Sequence, residues 1–150
     1  MNKILITNKT KYKFKHKKLF KKIVKYVGEE FQTDSTIEVS LIIVDNLMIK
    51  ELNKKYREKD YATDVLSFPQ GAIELRKQIG YYLMGDIYIS WEKIIEQTKM
   101  FGHSEKREWS YIFTHGMLHL FGLDHIIKEE EDYMNSIAYK IMEKIKVGRQ

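Results

Sequence analysis

Apolar residues recur at Leu19, Phe20, Ile23, Val24, Val27 and Phe31, three or four apart, with lysines filling much of the space between them. That spacing predicts an amphipathic helix over residues 16–31 whose outer face is basic. On either side the pattern changes to that of strands. KILIT at residues 3–7 reads as a short strand. TIEVSLIIV at 36–44 is rich in β-branched residues and ends in a continuous apolar run, as a buried strand does. Asn46 then stands where a cap would start a helix reaching about residue 56.

DVLSF at 64–68 predicts a third strand, and Pro69 directly after it argues for a sheet edge or a strand end. YLMGDIYIS, within 82–90, predicts a fourth, with Gly85 as a bulge or a point of close backbone approach. Three helices follow: 91 to about 100, ended by Phe101-Gly102; 104–121, capped by Ser104 and terminated by Gly122; and roughly 128–146, with an acidic first turn that suits the helix dipole. The order strand, helix, strand, helix, two strands, three helices predicts an α/β (α+β) fold. It has a small mixed sheet of about four strands packed with about five helices.

With 150 residues, 43% of them hydrophobic, the chain suits one domain over 1–150. It contains no cysteine, so thiolate metal sites and disulfides are excluded and any transition metal must use His, Asp or Glu. The first residues hold only a three-residue apolar run, and no stretch nears the length of a membrane span. The expectation is a cytoplasmic protein with no membrane partner. The net charge of +5 is unevenly spread: nine lysines and no acid lie between Lys9 and Lys25. Lys11, Lys13, Lys15, Lys17, Lys18, Lys21 and Lys22 are candidates for holding a polyanionic partner by counterion release. The alternative is a solvated helix face.

The chemistry concentrates in THGMLHLFGLDH, residues 114–125. His115 and His119, four apart on a helix, share one face and can reach one ion, and Gly122 turns the chain so that His125 can supply a third nitrogen. Three protein ligands leave a fourth position open, the pattern of a catalytic zinc. The bland alternative is three hydrogen-bonded core histidines. The frame H-x-x-x-H-x-x-G-x-x-H is that of the long zinc-protease motif, but Gly116 stands where such a protease has its glutamate base. Peptide hydrolysis by that route is therefore disfavoured. A phosphodiester instead demands that negative charge be offset, which a basic group can do. Asp64, Asp86 and Asp124 are candidates to orient a ligand histidine from behind, with turn or cap hydrogen bonds as the alternative.

These residues carry a family resemblance. HGMLHLFGLDH, LNKKYREKDYATDVLSF (52–68), MGDIYIS (84–90) and GHSEKRE (102–108) together resemble the signature blocks of the YbeY family of bacterial rRNA-maturation endoribonucleases. Ala62 and Met84 depart from the usual proline and leucine. The resemblance implies one zinc ion on His115, His119 and His125, and an important arginine at Arg57. It also implies single-strand-specific RNA cleavage in rRNA maturation, including 16S rRNA 3′ end processing, and in ribosome quality control. The implied partners are rRNA, ribosomal particles and ribosome-associated proteins. Two other readings stay open: a non-catalytic ribosome-biogenesis factor stapled by its metal, and a zinc metalloprotease with a displaced base.

Overall fold

The computed structural model describes residues 2–33, 36–70 and 81–146. Among these, four strands and five helices alternate in the expected order: β1 (Lys3–Asn8), α1 (Lys17–Glu30), β2 (Thr36–Val44), α2 (Asn46–Arg57), β3 (Val65–Pro69), β4 (Tyr81–Ser90), α3 (Trp91–Phe101), α4 (Glu105–Leu120) and α5 (Lys128–Lys144). The fold is α+β. One mixed sheet has the order β1-β2-β4-β3, in which β1, β2 and β4 run parallel and β3 pairs antiparallel at the edge. Pro69, which has no N–H to donate, sits at the end of that edge strand, where the loss is tolerated.

The two faces of the sheet are covered differently. On one, Phe20 of α1 stacks on Phe113 of α4 with ring centroids 4.2 Å apart, and Trp109 joins them; all three are fully buried. Ile87 and Ile89 of β4 and Ile137 and Ile141 of α5 belong to the same core. On the other face a smaller cluster of Ile42, Val44, Ile49 and Leu66 seats α2. β2 is buried at each of its last four positions because it lies inside the sheet with helices on both sides.

Gly85 has the role its position suggested. Its φ is +125°, and a Cβ there would lie 2.1 Å from the Phe68 carbonyl oxygen. The β2–β4 register steps between Glu38 and Val39, so β4 carries one extra residue beside this glycine. One cap differs from expectation: Asp45, not Asn46, caps α2, its carboxylate accepting from the Met48 N–H at 2.9 Å. The Asn46 side chain instead accepts a hydrogen bond from the Ser90 hydroxyl, tying the start of α2 to the end of β4. No described helix is long and apolar enough to cross a membrane.

Candidate active site

α4 begins where Ser104 accepts from the Arg107 N–H and ends in a paired turn. There the Leu123 N–H donates to the Leu118 carbonyl and the Gly122 N–H to that of His119, with Gly122 at φ +95°. This is the Schellman arrangement, and it sends the chain back across the helix end. As a result the His119 and His125 rings stand edge to face with centroids 5.2 Å apart. His119 Nδ1 donates to the Leu123 carbonyl at 3.0 Å, which fixes the tautomer and leaves Nε2 with its lone pair. His115, one turn back, has a buried Nε2 with no hydrogen-bond partner. His125 is exposed.

Burial, reinforced by the neighbouring His119 and His125, pushes His115 down to about 4 against an opposing pull from Asp64. Burial likewise lowers His119, with His125 adding to it. Both rings are therefore neutral near pH 7, the form that donates to a metal. A histidine that stays neutral in the fold but titrates near 6.5 when unfolded stabilises the fold fully above that pH. The stabilisation is lost as pH falls from about 6.5 to about 4, where the unfolded chain binds the extra proton. Metal-free protein should thus lose on the order of 1–3 kcal/mol between pH 7.5 and 4.5 through His115. His115→Phe, which has no titrating group, should flatten the dependence in urea unfolding. An unaltered slope in that variant would refute it.

Arg57 is delivered from the other side. α2 ends at Arg57 because Glu58 turns left-handed at φ +59°, while buried Asn53 donates from its side chain to the Tyr61 carbonyl and steers the chain toward β3. Arg57 Nη2 donates to the Ser67 carbonyl at 2.8 Å, and the guanidinium carbon lies 5.4 Å from the centre of the Phe68 ring. One donor of the fork and one face of its plane are thereby fixed, and the other donors remain for a ligand. A polar cleft of about 640 Å³ joins Arg57 and Lys59 to Asp64, His119, Asp124 and His125.

The donor chemistry of the histidines fits a zinc ion: His115 and His119 are neutral imidazoles, one with an unsatisfied buried nitrogen and the other with its tautomer set by a carbonyl, and His125 stands beside them. Among the described residues no three His, Asp or Glu side chains are already gathered closely enough to hold an ion as they stand.

The candidate carboxylates separate. Asp64 lies near enough to His115 to favour its charged form and accepts from Gln97 Nε2 at 3.1 Å. Asp124 acts the same way on His119 and accepts from the His125 N–H at 2.7 Å. Asp86 goes elsewhere. Strand alternation turns it away from Ile87, which meets α4, and toward Tyr88, whose hydroxyl it helps push up. Among the described contacts none joins Asp86 to a histidine. Lys11, Lys13, Lys15, Lys17, Lys18, Lys21 and Lys22 are all exposed, and none lines the cleft. Lys21 instead lines a separate groove of about 500 Å³ between α1 and the start of β1 and β2. Tyr12 among them is a packing residue, stacked on Trp91 and hydrogen-bonded to Trp109 and Glu105.

Gly116 is buried, and a Cβ there would come 2.9 Å from Ile87 Cγ2 and 3.3 Å from Ser67 Oγ. Ser67 in turn donates to the Gly116 carbonyl at 3.1 Å. The glycine lets α4 lie close on β3 and β4, which brings the histidines to the strand that holds Arg57. Sequence reasoning passed over Tyr111, whose ring centroid is 4.6 Å from that of His115, and Gln97 behind Asp64. Tyr111 shares the four-residue spacing of His115 and His119 and was findable. Gln97 reaches the site only through tertiary packing.

The profile of a family described as Endoribonuclease YbeY matches residues 4–146. A Mycoplasmopsis pulmonis protein named Endoribonuclease YbeY is 44% identical over 149 residues, covering 99% of this chain and all of its own. Another of that name from Mycoplasma mobile is 40% identical, covering 99% of this chain and 98% of its own. A solution structure of TM1509 from Thermotoga maritima is similar with a TM-score of 0.61 and 25% identity, covering 97% of this chain and 92% of that one.

Proposed function

The chain belongs to the Endoribonuclease YbeY family, and from that premise we propose that it is a zinc-dependent, single-strand-specific endoribonuclease. Its setting is cytoplasmic rRNA maturation, including 16S rRNA 3′ end processing and ribosome quality control. The observation that carries the reading is one cleft that joins Arg57, fixed at the end of α2, to His119 and His125 at and just beyond the end of α4.

His115, His119 and His125 would hold the ion. When bound, zinc supplies Lewis acidity toward water and the phosphate oxygens. Burial keeps His115 and His119 neutral and ready to donate without competition from protons near pH 7. Arg57 binds the scissile phosphate through the donors that Ser67 leaves unused, and offsets the charge that grows as the phosphorus becomes five-coordinate. Lys59 adds a second cation on the cleft wall. Asp64 and Asp124 put negative charge beside the two helix histidines, which favours a cation held there.

Purified protein should cleave a single-stranded RNA, lose that activity on chelation and regain it with added zinc. A duplex of the same sequence should be cut at least about tenfold more slowly, since unpaired RNA alone can bend its backbone into the cleft. Intact RNA after incubation with zinc-loaded protein, or cleavage unaffected by metal removal, would count against the proposal.

A further inference from the structure

Beside the cleft lies a second cavity of about 350 Å³ between α3, α4 and α5, and Asp64 is common to the linings of both. Its walls include three aromatic rings, Phe101, Tyr111 and Tyr139. The Tyr111 and Tyr139 ring centroids are 5.9 Å apart, and Tyr111 in turn touches His115. Its polar edge holds Asp64 and Gln97, joined at 3.1 Å, Arg107, and Glu108, whose Oε1 lies 2.5 Å from His103 Nδ1. Gln97 Oε1 is buried with no hydrogen-bond partner. Phe101 is 56% exposed although it adjoins a cavity that could shelter it.

We propose that this cavity takes one unstacked nucleobase of the RNA, from a nucleotide flanking the scissile phosphate; the proposal rests on the ribonuclease reading and supplies its single-strand preference. The two spaces differ in their linings. Among the described residues, the cleft sets Arg57 and Lys59 against Asp64 and Asp124 and has no Phe, Tyr or Trp wall. The second cavity sets a single arginine, Arg107, against Asp64 and Glu108 and is walled by aromatic rings, which suits a neutral ring better than a phosphate. A neutral planar ring with donors and acceptors on its edge matches both the aromatic walls and the amide and carboxylate groups. The volume sits at the low end of small-ligand pockets, which suits a single base. Because Tyr111 packs on His115, a base held here places the adjoining phosphate next to the histidines. A base in a duplex cannot reach the cavity without leaving its stack.

The test measures binding of a 2′-O-methyl pentanucleotide, confirmed intact after the measurement, and of the same sugar-phosphate chain without bases. Wild-type protein should bind the base-bearing chain about 5- to 100-fold more tightly. Tyr139→Ala should remove most of that preference and Tyr139→Phe should keep it, whereas Arg57→Ala should weaken both chains alike. Phe101→Ala, at a largely exposed position where the fold is expected to hold, should also reduce the preference and decides the matter if Tyr139→Ala is unstable. Equal binding of the two chains by wild-type protein, or an unchanged preference in the folded aromatic variants, would overturn the assignment. Because the test reads binding and not cleavage, absence of RNA cleavage would sink the ribonuclease reading without deciding this one.

Discussion

The His119→Ala protein should bind no zinc and cleave RNA roughly a thousandfold more slowly or worse, while keeping its fold. The rate estimate corresponds to losing several kcal/mol of charge stabilisation at the phosphate. The fold is expected to survive because the side chain contributes one described hydrogen bond, to the Leu123 carbonyl, worth about 0.5–1.5 kcal/mol. The Schellman turn that shapes this corner is made by backbone groups and remains. Metal content by mass spectrometry, circular dichroism and a cleavage rate on the same preparation test all three parts. A metal that only stapled the fold would give a different result, an unfolded His119→Ala protein. A variant that keeps a full complement of zinc, or cleaves at the wild-type rate, would remove His119 from the site.

What could be read from the sequence was whatever depends on short spacings. The strands and helices fell within a few residues of their observed ends, because periods of two and of about 3.6 are written locally in TIEVSLIIV and in the apolar stripe from Leu19 to Phe31. His115 and His119 share a helix face for the same reason, and the glycine that ends α4 gave the return toward His125. Gly116 was legible only as a missing base. Its packing against Ile87 and Ser67, far apart in sequence, became visible only with α4 laid on the sheet. Local rules alone offered little choice between Asp64 and Asp86. Both sit in or beside strands, and only the helix on the far side of the sheet decides which one meets a histidine. The lysine run is exposed along its length and apart from the cleft, an arrangement that both an RNA-holding and a solvated face would show. For Lys17 to Lys22 it follows from which face α1 buries against α4 rather than from charge count.

Arg57 is where the two halves of the site meet, and its removal separates binding metal from using it. Arg57→Ala should retain zinc yet cleave about 10²–10³-fold more slowly, the usual cost of losing one donor aimed at developing charge. The stability loss should be small, about 1 kcal/mol for the bond to the Ser67 carbonyl and the packing on Phe68. Arg57→Lys retains the charge but not the fork. Lysine cannot donate to Ser67 and grip a phosphate with the same rigid plane, so it should recover only part of the lost rate. If charge alone mattered, lysine would restore nearly all of it, and the hydrogen bond that pins the guanidinium would be incidental. If Arg57→Ala cleaved at the wild-type rate with zinc bound, the cleft would lose its phosphate anchor and the histidines would have to act without it. The pairing of a zinc-retaining, slow Arg57→Ala with a zinc-free, inactive His119→Ala is the pattern that assigns charge stabilisation to α2 and the metal to α4.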